Sequence, residues 1–135
     1  MNQNSLGGKP TAQPTKTLET FENPNTKRDI HIHMQIPEFT CLCPKTGQPD
    51  FATIYIKYVP DLSCIELKSL KLYITKYRNV GAFHEAVTDQ IFNHLKEAVS
   101  PKYLNVRSKF NVRGGIFTEV EFQHKNKNWK SSIDL

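Results

Sequence analysis

The chain has 135 residues, of which 38% are hydrophobic, and it carries a formal net charge of +5 at pH 7 with a pI of about 9.1. This length fits one domain with a modest core, and the charge favours anionic partners such as phosphorylated cofactors, nucleotides or nucleic acid. No stretch approaches the roughly 18 apolar residues of a membrane-spanning helix, and the polar residues 1–17 lack the apolar segment of a signal peptide.

The first half of the chain predicts two strands separated by a loop. Residues 1–17 are polar without periodicity and are expected to form a flexible lead. Apolar and polar residues alternate from Arg28 to Ile36, which predicts a half-buried strand that Pro37 helps to end. The stretch Cys41–Pro49 contains two prolines and a glycine and is predicted to be a constrained loop. Phe51–Tyr58 is rich in β-branched and aromatic residues and predicts a second strand.

Two helices are predicted next. Apolar residues spaced three, four and three apart indicate the first helix, and these are Leu67, Leu70, Ile74 and Tyr77. Asn79-Val80-Gly81 interrupts the pattern, and a longer amphipathic helix is expected from Ala82 to about Val99. Ser100-Pro101 closes that helix.

The second half ends in a predicted hairpin. Tyr103–Val112 and Ile116–Gln123 read as strands, and Arg113-Gly114-Gly115 is a good tight-turn sequence between them. The basic tail Lys125–Lys130 is expected to be mobile. The order ββααββ predicts an α+β domain, an antiparallel four-stranded sheet with two helices on one face. Such a sheet has two open edges, and pairing them between subunits would close a barrel.

The three cysteines bear on compartment and on chemistry. Cys41, Cys43 and Cys64 form an odd set, and the first two are too close in sequence for an easy mutual disulfide. Free thiols in a reducing cytoplasm are therefore expected. Cys43 precedes Pro44 in the loop and is either an unreactive thiol or a nucleophile whose pKa is lowered by its surroundings, and Cys41 could be the reactive thiol instead.

Each candidate acid has a structural and a functional interpretation. Asp50 opens the second strand and could cap a turn or act as a buried proton donor. Glu66 precedes the first helix and could cap it or grip the N–H donors of a guanine-like ring. His84-Glu85 opens the second helix, where an acidic first turn is ordinary.

Two further interpretations concern a metal and a basic surface. Cys41, Cys43 and His84 could supply three zinc ligands, although a C-x-C spacing departs from the usual C-x₂₋₄-C sites. The basic residues of the helices and the hairpin turn could form only a solvated surface; they are Lys68, Lys71, Arg78 and Arg113.

Four stretches together resemble one enzyme family, the short form of the NADPH-dependent 7-cyano-7-deazaguanine reductases. They are CLCPKTGQPDFAT at 41–53, ELKSLKLY at 66–73, Phe83-His84-Glu85 and Arg113-Gly114-Gly115. The resemblance runs from about Leu18 to Phe122. It implies a single tunnelling-fold nitrile reductase domain at residues 18–124, with residues 1–17 as a lead and residues 125–135 as a basic tail. Family members assemble into barrels, typically two stacked pentamers, with active sites at subunit interfaces.

The resemblance also implies roles for residues. Cys43 would be the thiolate that attacks the nitrile carbon to give a covalent thioimidate, and Asp50 would be the proton donor. The substrate would be bound by Ile65, Glu66, Leu67, His84 and Glu85. The resemblance assigns Lys68, Lys71 and Arg113 to the phosphates of NADPH. The chain has no G-x-G-x-x-G sequence, so the cofactor is expected to bind outside a Rossmann fold, in a basic cleft.

The implied function is reduction of the nitrile to an aminomethyl group in the queuosine pathway of tRNA modification, in the cytoplasm. No catalytic metal, no direct nucleic-acid contact and no membrane are expected. Two rival hypotheses are a zinc-dependent pterin cyclohydrolase of the same fold and a basic RNA-binding module, which would bind RNA in a salt-sensitive manner.

Overall fold

The computed structural model describes residues 18–135, so the predicted lead at 1–17 lies outside the described residues. The described part contains six strands, two α-helices and one 3₁₀ helix. In chain order they are β1 (Thr20–Glu22), β2 (Ile32–Leu42), β3 (Pro49–Val59), β4 (Ser63–Ile65), α1 (Leu67–Thr75), the 3₁₀ helix (Lys76–Asn79), α2 (His84–Val99), β5 (Tyr103–Arg113) and β6 (Ile116–Lys125). Within these residues, neither helix has the length and apolar character that crossing a membrane requires.

The main sheet is antiparallel and has the strand order β2-β3-β5-β6. Alternate residues of its strands point to one face, where they form the core with α1 and α2. The fully buried side chains there include Phe39, Ile54, Ile56, Tyr73, Ile91, Leu95, Leu104 and Phe110. The opposite face is polar, and Arg107 pairs there with Glu119 at 3.2 Å. The α+β class, the antiparallel sheet and the two helices on one face are confirmed.

Buried polar contacts fix the helices to each other and to the sheet. The Tyr73 hydroxyl lies 2.8 Å from that of Tyr77 and 2.9 Å from Nδ1 of His94, which links α1 and the 3₁₀ helix to α2. The Thr88 hydroxyl donates to Ser108 Oγ at 2.9 Å and links α2 to β5. These satisfied groups hold α2 in a defined position over the sheet.

The prediction that the first strand ends at Pro37 is wrong. β2 continues to Leu42, and its pairing with β3 shifts register between Ile36 and Phe39. Pro37 is exposed on an edge strand at this bulge, so its missing N–H does not break the ladder. Cys41 therefore lies in a strand rather than in the loop predicted at Cys41–Pro49.

Other boundaries also differ from the predictions. α1 ends at Thr75 and the 3₁₀ helix follows, whereas the spacing predicted one helix through Tyr77. α2 begins at His84 rather than Ala82, because the N–H of Ala82 is bonded to the carbonyl of Leu42 and continues an extended segment. The short strands β1 and β4, which pair antiparallel, were not predicted.

The C-terminal segment contacts the domain through its tryptophan. Trp129 packs on Tyr103 with ring centroids 5.7 Å apart, and its Nε1 donates to Oδ2 of Asp29 at 2.8 Å. Lys102 donates to the other oxygen of Asp29 at 3.0 Å. Together the Trp129 and Lys102 contacts lower the pKa of Asp29. The segment predicted to be a mobile tail is thus anchored at Trp129.

Candidate active site

Residues 43–48, which join β2 to β3, form a tight loop that we call the thiol loop. The N–H of Cys43 donates to the carbonyl of Gln48 at 2.7 Å, and the N–H of Gly47 donates to the carbonyl of Cys43 at 2.8 Å. Gly47 has φ of +73°, a left-handed conformation that a side chain would disfavour. The backbone therefore holds Cys43 at one end of a closed turn.

The thiol loop also favours the charged form of Cys43. The hydroxyl of Thr46, and then the backbone N–H groups of Thr46 and Lys45, donate to the sulfur and lower the pKa of Cys43. The side chain is half-buried, so a small molecule can reach it. A thiolate stabilised by fixed donors is a good nucleophile near neutral pH.

Cys41 has the opposite environment. Its side chain is fully buried in the core, and burial raises the pKa of Cys41 to about 12. Cys64 is also buried, and burial raises the pKa of its thiol. Of the two thiols that the sequence left as alternatives, the geometry therefore favours Cys43 over Cys41.

The side chains of Asp50, His84 and Arg113 meet near the start of β3, and we call them the Asp50 cluster. Asp50 is only 7% exposed. Nε2 of His84 lies 3.3 Å from Oδ2 of Asp50, and Nε of Arg113 lies 2.9 Å from Oδ1. The His84 ring is stacked on Phe110 with centroids 3.6 Å apart and an angle of 4° between the planes. A buried carboxylate is thus held between an imidazole and a guanidinium.

Glu85 is the next residue after His84 in the first turn of α2, and its side chain is exposed. Within residues 18–135 its carboxylate has no hydrogen-bond partner. Phe83 precedes His84 and is 55% exposed. The first turn of α2 therefore presents a carboxylate and an aromatic ring to solvent beside the Asp50 cluster.

Glu66 is the N-cap of α1. Its Oε2 accepts from the N–H of Lys68 and its Oε1 from the N–H of Ser69, both at 2.8 Å. These backbone donors lower the pKa of Glu66. The capping interpretation of this residue is thus realised, and the carboxylate, which has about four acceptor positions, keeps lone pairs free.

Glu66 borders an apolar cleft of about 670 Å³ that lies beside β4 and the start of α1. Leu67, the first residue of α1, is 64% exposed, whereas Ile65 is buried. The other lining residues are Phe21, Ile32, His33, Met34, Tyr58 and Cys64. The three residues predicted to bind the substrate at 65–67 therefore share one cleft.

Lys68 and Lys71 are exposed on α1 and have no ion-pair partner within residues 18–135. Lys71 lines a second cleft, of about 490 Å³, between α1 and β2, together with Arg78 of the 3₁₀ helix. Arg113, the third residue predicted to bind the cofactor, lies instead in the Asp50 cluster. From the sequence, Arg78 is predicted only as part of a solvated basic surface. Its spacing of seven residues from Lys71 is the signal that both side chains lie on one side of the helical segment, where they line the same cleft.

The predicted site residues fall at the two ends of β3. Asp50 is the second residue of that strand, and Tyr58, whose hydroxyl accepts from the N–H of Ile65 at 3.0 Å, is the tenth. Eight residues of extended strand span about 26 Å. The Asp50 cluster and the cleft at Glu66 are therefore too far apart in one chain to contact the same small molecule.

The zinc interpretation required Cys41, Cys43 and His84 to converge. In the described residues, no group of three or more His, Cys, Asp or Glu side chains is placed to hold a metal ion. Cys41 points into the core, away from such a role.

Comparison with known proteins agrees with the resemblance of the motifs. The QueF-like protein family matches residues 49–129. A protein of Nitrosomonas eutropha named NADPH-dependent 7-cyano-7-deazaguanine reductase is 64% identical over 119 residues, which are 88% of this chain and 86% of the relative. A protein of the same name from Halorhodospira halophila is 61% identical over 117 residues, 87% of this chain and 99% of the relative.

A solved structure extends the comparison to the fold. The archaeosine synthase QueF-Like, in its apo form, matches with a TM-score of 0.61 over 70% of this chain and 91% of that chain. At 21% sequence identity this likeness concerns the fold alone. The sequence relatives and the family match decide the membership: the chain belongs to the QueF-like family of NADPH-dependent 7-cyano-7-deazaguanine reductases.

Proposed function

We propose that this protein is an oxidoreductase that uses NADPH to reduce the nitrile of 7-cyano-7-deazaguanine to the aminomethyl group of 7-aminomethyl-7-deazaguanine. The observation that carries the proposal is the thiol loop, whose backbone bonds hold a half-buried Cys43 at one end of a closed turn that leads directly to the buried Asp50. Relatives of that name at 61% and 64% identity support the substrate and the cofactor. The product would enter queuosine biosynthesis. The enzyme would act in the cytoplasm and would contact neither nucleic acid nor membrane directly.

The first step is covalent addition. The Cys43 thiolate attacks the nitrile carbon, a C–S bond forms, and one π pair of the C≡N bond moves to nitrogen. That nitrogen must then gain a proton, and we assign it to the Asp50–His84 pair, in which Oδ2 and Nε2 lie 3.3 Å apart and can share one proton that Asp50 delivers. The result is a thioimidate in which no atom has been lost from the substrate.

NADPH, when bound, supplies hydride, and the change from nitrile to amine requires four electrons and therefore two molecules of NADPH. Lys68 and Lys71 suit its phosphates, because both are exposed cations without an internal partner on one side of α1. Arg113 is the third residue that the resemblance assigns to this role. Between the two reductions Cys43 would leave as a thiolate, and closure of the site by a second copy would protect the imine from water.

Substrate recognition is assigned to carboxylates. Glu85 and Glu66 would accept hydrogen bonds from the amino and ring N–H groups of the deazaguanine, with His84 and the residues Ile65 and Leu67 shaping the pocket. The lowered pKa of Glu66 supports this role, because an ionised carboxylate is the acceptor that such donors need. A site of this kind rejects analogues that lack the donors by about 10⁴-fold.

The separation of the Asp50 cluster from the Glu66 cleft along β3 supports an active site at a subunit interface. A second copy that placed its Glu66 cleft against the Asp50 cluster would complete the site. The edge strands β2 and β6 could pair between copies and close the barrel of a tunnelling fold, with two stacked pentamers as the family arrangement. Exposed apolar side chains near the β5–β6 turn support such burial, and they are Val112, Ile116 and Phe117. In this proposal the catalytic domain is residues 18–124.

The function is tested by NADPH oxidation. Adding 7-cyano-7-deazaguanine to the purified protein should oxidise two molecules of NADPH for each nitrile consumed, because four electrons are transferred. The absorbance of NADPH and the mass of the product measure this ratio. Guanine, which has no nitrile, is the control and should cause no oxidation. Tight, salt-sensitive RNA binding with no NADPH consumption would contradict the proposal.

The nucleophile is tested by exchanging each thiol. Cys43→Ala should abolish turnover and also the mass adduct with 7-cyano-7-deazaguanine, whereas Cys41→Ala should keep both. Because the Cys43 pKa is lowered, the wild-type adduct should still form below the pH at which an ordinary thiol ionises, and its rate should fall only as the pH drops through that lowered pKa. Intact-protein mass spectrometry over a pH series measures both effects. An adduct in Cys43→Ala would assign the chemistry to another residue.

The acid is tested by Asp50→Asn. This change keeps the shape but removes the proton that the nitrile nitrogen requires, so kcat should fall by about 10²–10⁴-fold. Asp89→Asn, an exposed change on α2, is the matched control and should behave as wild type. Steady-state NADPH oxidation measures the effect, and near-normal turnover in Asp50→Asn would remove its role as proton donor.

The shared active site is tested by mixing inactive variants. Cys43→Ala and Glu66→Gln would damage different halves of the site, so oligomers assembled from equal amounts of both should regain about one quarter of the wild-type activity if subunits associate at random. Cys43→Ala mixed with Asp50→Asn is the control, because both changes lie in the same half and no intact site can form. The measurement is NADPH oxidation after co-expression with two tags. If the mixture of Cys43→Ala with Glu66→Gln is as inactive as this control, the shared site is refuted.

A further inference from the structure

Arg113 makes more contacts with the residues around Asp50 than a residue that only binds phosphate would need. Its Nε lies 2.9 Å from Oδ1 of Asp50. Its Nη1 donates to the side-chain oxygen of Gln48 at 3.3 Å, and its Nη2 donates to the carbonyl of Pro49. All three guanidinium nitrogens are therefore directed at three consecutive residues, 48–50.

Those three residues connect the nucleophile to the acid. The carbonyl of Gln48 accepts the N–H of Cys43 at 2.7 Å and closes the thiol loop, and Asp50 is the second residue of β3, the strand that follows. Arg113 lies at the β5–β6 turn, where Gly114 and Gly115 have φ of +61° and +80°. The turn therefore presents the guanidinium as a brace across the base of the thiol loop.

The burial of Asp50 makes the loss of its contact with Arg113 costly. Asp50 has 9% of its side chain exposed, whereas Arg113 has 44% exposed. Without the guanidinium, Oδ1 of Asp50 would lose its charged donor, and Gln48 and Pro49 would each lose one hydrogen bond. A rigid fork of donors suits this task better than a single ammonium group.

We propose that Arg113 is a positioning residue for the nitrile-addition step: it holds Asp50 and the end of the thiol loop in reacting geometry before any cofactor takes part. This rests on the proposed function in that the addition step is the one assigned to Cys43. It differs from a phosphate-binding role because it predicts a defect in a reaction that needs no NADPH.

The test is adduct formation without NADPH. Wild type, Arg113→Gln and Arg113→Lys are mixed with 7-cyano-7-deazaguanine, and the growth of the mass adduct is followed in time. The rate constant should fall by about 10²-fold in Arg113→Gln, the cost of small misplacements of reacting groups, while the final adduct remains stoichiometric. Arg113→Lys should recover part of the rate, because an ammonium can reach Asp50 but cannot also hold Gln48 and Pro49.

The matched control is Arg107→Gln. Arg107 lies on the same strand and has 37% of its side chain exposed. It pairs with exposed Glu119 at 3.2 Å and lies 4.4 Å from the centre of the Tyr55 ring, so its loss removes the same charge away from the thiol loop. Its adduct rate constant should equal that of wild type. A wild-type rate constant in Arg113→Gln, whatever its KM for NADPH, would overturn the proposal. A defect that lowers only the final amount of adduct would also overturn it, because that indicates loss of folded protein.

Hydrogen exchange separates this proposal from the proposed function. If wild type forms no adduct, the proposed function fails, and the exchange of backbone N–H groups in residues 43–50 still tests the brace. Exchange there should be faster in Arg113→Gln than in wild type and Arg107→Gln, since the N–H of Cys43 depends on the position of Gln48. Equal exchange in all three proteins would refute the brace.

Discussion

The antiparallel pairing of β3 with both of its neighbours is the constraint on which the site depends. Cys41 is opposite Asp50 in the pairing with β2, and Ala52 is opposite Phe110 in the pairing with β5. Because antiparallel ends meet, the thiol loop, the start of β3 and the β5–β6 turn lie together. A slip of one residue would turn Asp50 to the other face of the sheet and separate it from His84. The register of these three strands thus determines both the packing of the sheet and the position of Asp50 relative to His84 and Arg113.

The same pairing distinguishes two thiols that are only two residues apart. Cys41 is the second-last residue of β2 and points into the core, where burial keeps it protonated. Cys43 lies just beyond the strand end, where the backbone turns and its N–H groups become free to act as donors. One strand terminus therefore separates a thiol whose pKa is raised from a thiol whose pKa is lowered, and the loop after the strand stabilises the thiolate form of Cys43.

Periodicity predicted most of the fold because buried faces repeat every second residue in a strand and about every third or fourth in a helix. It could not predict that β2 continues past Pro37, because a bulge on an edge strand tolerates proline. It also could not predict the pairing of β1 with β4, because strands of three residues are too short to show a period. The motifs indicated Cys43, Asp50 and His84, and the structure brings Asp50 and His84 together. The position of Arg113 beside Asp50 follows from strand register, which the residue pattern alone does not give.

The geometry of Glu66 shows why its structural role and its proposed functional role need not compete. As N-cap of α1, its carboxylate is held by two backbone N–H groups at 2.8 Å, so its orientation is already fixed before any ligand arrives. A ligand that binds such a group need not order a flexible side chain, which removes part of the entropy cost of binding. The cap also keeps the carboxylate ionised through its lowered pKa. In the proposed shared site, the helix terminus of one copy would therefore serve as a prepared acceptor for a base held by the Asp50 cluster of another copy.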